Sequence, residues 1–153
     1  MKEFDYYIFI DYSENLIGYN IIGRDKVKEL LPKIKKLSHY KKIRYKREYL
    51  NSMKKLFERE KINSYLEKIK IKNVRNNLDI FVEVFEFTKR HEKCIIFISV
   101  DNFQYKAFGK IVNLVDGNKV EIVRESQLKR DSPEYRLSLI IDTQLNLMRR
   151  KQK

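Results

Sequence analysis

Apolar residues recur along the 153-residue chain with two different periods, and the switches between them mark the elements. Tyr6-Tyr7-Ile8-Phe9-Ile10-Asp11 is aromatic and β-branched, Leu16 to Ile22 is a second such run closed by Gly23, and Tyr12-Ser13-Glu14-Asn15 lies between them. Strand, turn and strand are predicted. From Asp25, an N-cap candidate, Val27, Leu30, Leu31, Ile34 and Leu37 have helical spacing, and Pro32 predicts a kink or a late start. Residues 38–49 have no clear apolar face. Leu50, Met53, Leu56, Phe57, Ile62, Tyr65, Leu66 and Ile69 then return to helical spacing, so this stretch reads as mostly helical hairpin.

Val74, Leu78, Phe81, Phe85 and Thr88 mark a helix face within residues 74–92, a segment longer than a typical strand. Cys94 to Val100 is apolar on both faces, as a central strand is. Phe103, Ala107, Phe108, Ile111, Val112 and Val115 predict a helix ended by Asp116-Gly117-Asn118, and Lys119 to Val123 a further strand, which completes a right-handed βαβ unit. Ser132-Pro133-Glu134 opens a last helix with Leu137, Ile140, Ile141, Leu145 and Met148 on its apolar stripe. Arg149-Arg150-Lys151 suits its negative end. The pattern is that of one α/β domain over residues 1–153, with a mixed sheet flanked by helices.

Charge divides this domain. Residues 24–75 carry 19 Lys and Arg against 6 Asp and Glu, the rest of the chain carries 15 against 15, and the formal net charge of +13 therefore lies wholly in the first segment. Heat adaptation, which raises Lys and Glu together, does not produce such a partition. Residues 24–75 are read as a basic helical insertion after the first hairpin. Within it Arg24, Lys41, Lys42, Arg44, Lys46 and Arg47 are interleaved with Tyr40, Tyr45 and Tyr49. Cations attract phosphates without reading sequence and tyrosines stack on exposed bases, so nucleic acid is the expected partner, RNA ahead of DNA. A solvated Lys-rich helix face with its tyrosines in the core is the alternative for any single residue.

Other classes find little support. The longest apolar runs fall far short of the roughly 20 residues of a membrane span. Met1-Lys2-Glu3-Phe4-Asp5 has acids where an export signal is basic and then apolar, so a cytoplasmic location is expected. The single cysteine, Cys94, lies in a strand-like run and reads as a buried thiol in a reducing compartment. Four scattered glycines make no phosphate-cradling loop, so no nucleotide cofactor is expected. His39 and His91 have neither metal spacing nor a nucleophile beside them, and His91 reads as a helix end.

Three aspartates punctuate apolar runs. Asp11 ends the first strand, Asp101 ends the strongest strand, and Asp142 follows Ile140-Ile141 inside the last helix. Strand ends of an α/β sheet face a common crevice, where carboxylates that converge form a hard oxygen site for Mg²⁺ or Mn²⁺. Taken singly, Asp11 could start a turn, Asp101 could cap a helix and Asp142 could pair with an arginine. Together they resemble the ribonuclease H-like superfamily, and Phe9-Ile10-Asp11-Tyr12-Ser13-Glu14 looks like the Asp-x-Ser start of a group of uncharacterised microbial proteins in it. The resemblance covers residues 6–22 and 94–148. It implies metal-dependent phosphodiester cleavage with Asp11, Asp101 and Asp142 as catalytic ligands, and Glu14 or Glu83 as a weaker fourth ligand. A third strand ahead of the first helix of that pattern is not evident, the basic segment taking its place. A non-catalytic nucleic-acid-binding protein of the same fold, a PIN-type ribonuclease and a subunit that meets an acidic protein partner are the other readings.

Overall fold

The computed structural model describes residues 4–99, 105–106, 108–110 and 120–151. Strands β1 (Tyr6–Ser13) and β2 (Leu16–Gly23) form the expected antiparallel hairpin, with Glu14 in the turn at φ 53°. Strand β3 (Lys68–Asn73) pairs antiparallel with β2, β4 (Cys94–Ile98) runs parallel to β1, and β5 (Glu121–Arg124) runs parallel to β4. The sheet order is β3-β2-β1-β4-β5. With β1 in the middle and β4 beside it, both strands are buried on two faces, which is why their sequences are nearly continuous apolar runs.

Alternation along the strands assigns each residue to a side. Tyr7, Phe9 and Leu16 face helices α1 (Arg24–Leu30), α2 (Lys46–Glu60) and α4 (Pro133–Lys151). Ile8, Ile10, Tyr19 and Ile96 face α3 (Asn77–Arg90) and Phe108. Pro32 has the predicted effect: α1 stops at Leu30 and the chain tightens into a 3₁₀ turn, Leu31–Ile34, because proline offers no N–H to continue the ladder. The last helix starts as expected, with the Ser132 hydroxyl accepting the Tyr135 N–H at 3.2 Å. His91 ends α3 in extended conformation, stacked on Phe87 at 3.9 Å between ring centres. Cys94 is buried.

One expectation fails. Ile69 and its neighbours do not extend a helical hairpin, because α2 ends at Lys61 in left-handed conformation and Lys68–Asn73 adds the third strand to the sheet. The reason lies in Lys68-Ile69-Lys70-Ile71-Lys72, whose period of two sends Ile69 and Ile71 to the core and lines the other face with lysine. Lysines suit an edge strand, which they protect from pairing with another chain. The basic segment is thus two helices, 3₁₀ turns and an edge strand. Of the helix expected over Phe103 to Val115, residues 105–106 and 108–110 are helical, and the other positions lie outside the described residues.

Candidate active site

The register of the sheet assembles a row of side chains. Asp11 is opposite Gly18 on β2, and Ile10 is opposite Ile98, so Ser99 follows beside Asp11. The Ser99 N–H donates to the Ile10 carbonyl at 2.9 Å and holds that register past the end of β4. Ile98 is opposite Arg124, so Glu125, the residue after β5, continues the row. Gly18, Asp11, Ser99 and Glu125 therefore lie side by side, on the face that carries Phe9, Phe97 and Val123 one step earlier.

Gly18 has a specific use here. A Cβ added to it would stand 2.9 Å from Ile71 Cγ1 and 3.1 Å from Leu145 Cδ2. The missing side chain lets α4 settle onto the sheet at this point, and Asp142, one turn before Leu145, comes down beside Asp11. Both aspartates are buried, 5% and 6% exposed. A carboxylate on a helix would ordinarily face water, but α4 is covered from Leu137 to Asn146 by the sheet below and by α2 and the Leu31–Lys42 region above. The Arg136 guanidinium fastens that cover by donating to the Ile34 carbonyl at 2.9 Å. The Tyr40 N–H donates to Asp142 Oδ2 at 2.9 Å, so the basic segment itself orients one of the acids.

Burial and mutual repulsion dominate the electrostatics. Burial pushes the Asp11 carboxyl well above its ordinary range, the charges of Glu125 and Asp142 push it further, and the Tyr12 N–H at 2.8 Å and the Ser99 hydroxyl oppose them. Burial also raises Glu125, opposed by the Ser99 hydroxyl and by His39. Asp142 is raised by burial as well, against the stabilising influence of His39, the Tyr40 N–H, Lys41 and Arg149. Three acids thus share a weakly solvated space, where a cation relieves the repulsion.

That space opens into a cleft of about 660 Å³ whose wall includes Ser13, Glu14, His39, Tyr40, Lys41, Lys46, Asn146 and Arg149. Lys46 and Arg149 lie over the Tyr40 ring, 5.3 and 5.4 Å from its centre. Arg149 also pairs with Glu14 and donates to Asn146 Oδ1 at 2.8 Å. His39 Nδ1 accepts the Lys41 N–H at 3.3 Å.

The predicted residues divide accordingly. Asp11, Asp142, Glu14, Tyr40, Lys41 and Lys46 meet at the cleft. Lys42, Arg44, Tyr45 and Arg47 are exposed on the segment that forms its wall, with Arg44 5.4 Å from the Tyr45 ring. Tyr49 does not reach the cleft, since its hydroxyl both accepts from the Ser38 N–H and donates to the Ser38 carbonyl. Arg24 sits at the far end of the hairpin, where Gly23 pairs with Tyr6, and is 3.9 Å from Asp5. Glu83 is on α3, across the sheet, within 3.0 Å of Lys70 and 3.8 Å of Lys72, and is not brought to Asp11. Asp101 lies outside the described residues. Sequence reasoning missed Glu125, His39 and Arg149. Glu125 carries a weaker form of the signal used for Asp11, a carboxylate just past a strand, here the short Glu121-Ile122-Val123-Arg124. Among the described residues no group of three or more His, Cys, Asp or Glu side chains could by itself hold a metal ion. Asp11, Glu125 and Asp142 offer hard oxygen donors of the type Mg²⁺ and Mn²⁺ take.

No family model and no curated protein sequence matches the chain. Among solved structures, the PCNA:RNase HII complex from Archaeoglobus fulgidus contains a chain that superposes with a TM-score of 0.52 at 13% identity, over 95% of this chain and 72% of that one. The fold is ribonuclease H-like. At this identity the likeness concerns the path of the backbone and the mixed five-stranded sheet. Among the described residues, no helix is long and apolar enough to cross a membrane.

Proposed function

We propose that the protein is a metal-dependent nuclease that hydrolyses phosphodiester bonds in RNA or structured nucleic acid, with Asp11, Asp101 and Asp142 as metal ligands and Glu125 completing the acidic row. The observation that carries this reading is the meeting of Asp11 and Asp142, 131 positions apart in the sequence, in one buried cleft beneath a cationic wall. Carboxylates crowded at the cost of mutual repulsion are what a cation site requires, and Mg²⁺ or Mn²⁺ held there would make a water easier to deprotonate, and so nucleophilic toward phosphorus, and would offset the charge on the leaving oxygen. Lys41, Lys46 and Arg149 meet the phosphate charge, and Tyr40 offers a ring between two of these cations. Glu14 and Glu83 are weaker candidates: the first is exposed and paired with Arg149, the second lies across the sheet. The place of Asp142 in the cleft favours the ribonuclease H-like scheme over a PIN-type one. A cytoplasmic location belongs to the same reading.

The test is cleavage of labelled single-stranded RNA, duplex RNA, RNA:DNA hybrid, branched DNA and single-stranded DNA in Mn²⁺, Mg²⁺ and EDTA, with Asp142→Asn alongside. Cutting should require the metal and fall more than about a hundredfold in the variant, beyond what loss of an outer-shell partner costs. Salt-sensitive binding without cutting in any lane would leave a non-catalytic nucleic-acid-binding protein.

A further inference from the structure

On the other side of α4 from the cleft is a groove of about 630 Å³, bounded by α2, β3 and the C-terminal turns of α4. Its floor is apolar, with Phe57, Ile69 and Leu147 in it and Met148 38% exposed above them. Lys54, Arg150 and Lys151 stand at its rim against one acid, Glu58. Amides line one end. The Asn20 Nδ2 donates to Gln144 Oε1 at 3.4 Å and the Gln144 Nε2 donates to Asn63 Oδ1 at 2.7 Å. This relay starts from a fully buried asparagine and ends on the exposed Asn63, whose Oδ1 it occupies, so that the Nδ2 is the end of this amide left to donate.

An apolar floor, an oriented amide donor and a cationic rim match the three parts of a nucleotide: a flat ring, a base edge with carbonyl acceptors, and a phosphate. The groove and the cleft flank one helix. Asp142, Asn146 and Arg149 line the cleft while Gln144, Leu147 and Lys151 line the groove, so only the width of α4, about 10 Å, separates them. Arg149 and Arg150, adjacent in sequence, open one to each side. We infer that the groove is a second nucleotide-binding subsite, which receives an unpaired base of the same RNA strand whose backbone lies in the cleft. The inference rests on the nuclease reading and names its substrate as single-stranded RNA, since a paired base would have to give up its pairing and stacking to enter the groove, a cost an unpaired base does not bear. An acidic helical peptide is the competing occupant, disfavoured because the amide row offers donors at a fixed place, which a charged rim alone does not need.

The test uses fluorescent oligouridylates of about 4 to 12 nucleotides, bound in EDTA to the wild-type chain and to Met148→Glu combined with Lys54→Ala, two exposed positions that leave the cleft intact. Wild-type affinity should climb with length, and the variant should lose about tenfold for the longest strand while keeping wild-type affinity for the shortest, the loss of roughly one stacked base. A crosslink from 4-thiouridine should map to the Phe57 or Met148 peptides in long strands only. Equal binding of the long strand by both proteins would overturn the groove and leave the cleft reading standing. Failure of the wild-type chain to bind RNA of any length would overturn both. Polyglutamate competing as well as RNA would assign the groove to a protein partner instead.

Discussion

The two faces of the sheet are built from the same strands and do opposite things. Against α3 the packing is aromatic and dry: Phe108 stacks on Phe85 at 5.3 Å, Phe81 meets it edge-on, and Tyr6 packs against Phe87 and His91. Thr88 is the one buried polar side chain described on that helix, and it donates to a carbonyl within its own turn. Against α4 the packing holds Asp11, Asn20, Ser138, Asp142, Thr143, Gln144 and Asn146, all buried. A core that retains so many polar groups accepts desolvation of carboxylates. Alternation along β1 separates the two sides: the even positions Ile8 and Ile10 meet only apolar partners, whereas the odd positions run from the core residues Tyr7 and Phe9 into the buried carboxylate of Asp11.

The largest effect that sharpens this separation is expected on the dry face. Phe108→Ala removes a fully buried ring with two aromatic neighbours, and the unfolding free energy should drop by about 3–5 kcal/mol, read from the urea midpoint. Cleavage per folded molecule should be unchanged. A loss of cleavage at full folding would break the division between the faces.

Gly18→Ala comes next and acts on the wet face. The new methyl group meets Ile71 Cγ1 and the Lys70 carbonyl, neither of which is the loose end of a long side chain, so overpacking of about 1–3 kcal/mol is expected. Because Gly18 is opposite Asp11 and under Leu145, the strain falls where Asp142 is positioned. Cleavage should fall by more than the lost stability explains, whereas Phe108→Ala should show the reverse. Equal losses in both assays for both variants would mean that the faces are not independent.

The sequence was legible where one period ran without interruption. β1, β2 and β4 were visible as apolar runs, α3 by its length, and the start of α4 by Ser132-Pro133. β3 was hidden because Ile69 falls in phase with Ile62, Tyr65 and Leu66, and only the lysines at Lys68, Lys70 and Lys72 betray the change of period. Asp11 and Asp142 were recognisable as charges placed in apolar surroundings. Glu125 was passed over because β5 is short and half-buried, and His39 because it joins the site through the cover laid over α4, a contact at long sequence separation that no local pattern encodes; Arg149 is on α4 itself, two turns after Asp142, and its role was masked by its place among the cations that suit the helix end. Glu83 illustrates the converse: it sits at a plausible place in the sequence, but helix phase puts it on the dry side of the sheet, bonded to lysines of β3.

The smallest effects are the most direct comparison, because each face has a titrating group with a raised pKa and the two act in different pH windows. Asp11 is raised by burial and by Glu125 and Asp142, so in EDTA its contribution to stability is whole below the ordinary 3.8, where folded and unfolded chains are both protonated. It is lost as pH climbs through the higher folded value, since the unfolded chain releases its proton first. Tyr19, on the dry face, is raised from 10.0 to about 12 by burial and then by Glu83, whose carboxylate its hydroxyl approaches at 3.5 Å. Its contribution is whole below pH 10 and lost between there and about 12. Urea unfolding in EDTA across this range should therefore show two descending steps. Asp11→Asn, which keeps an oxygen for the Tyr12 N–H, should remove most of the acid-side step and leave the metal-free protein about 0.5–2 kcal/mol more stable at pH 7. Tyr19→Phe should shrink the alkaline step and leave the acid-side one unchanged, the remainder coming from Tyr6, Tyr7 and Tyr49, which burial raises as well. Added Mn²⁺ should stabilise the wild-type chain more than Asp11→Asn and leave the Tyr19 step untouched; an equal gain in both proteins would separate the metal from Asp11.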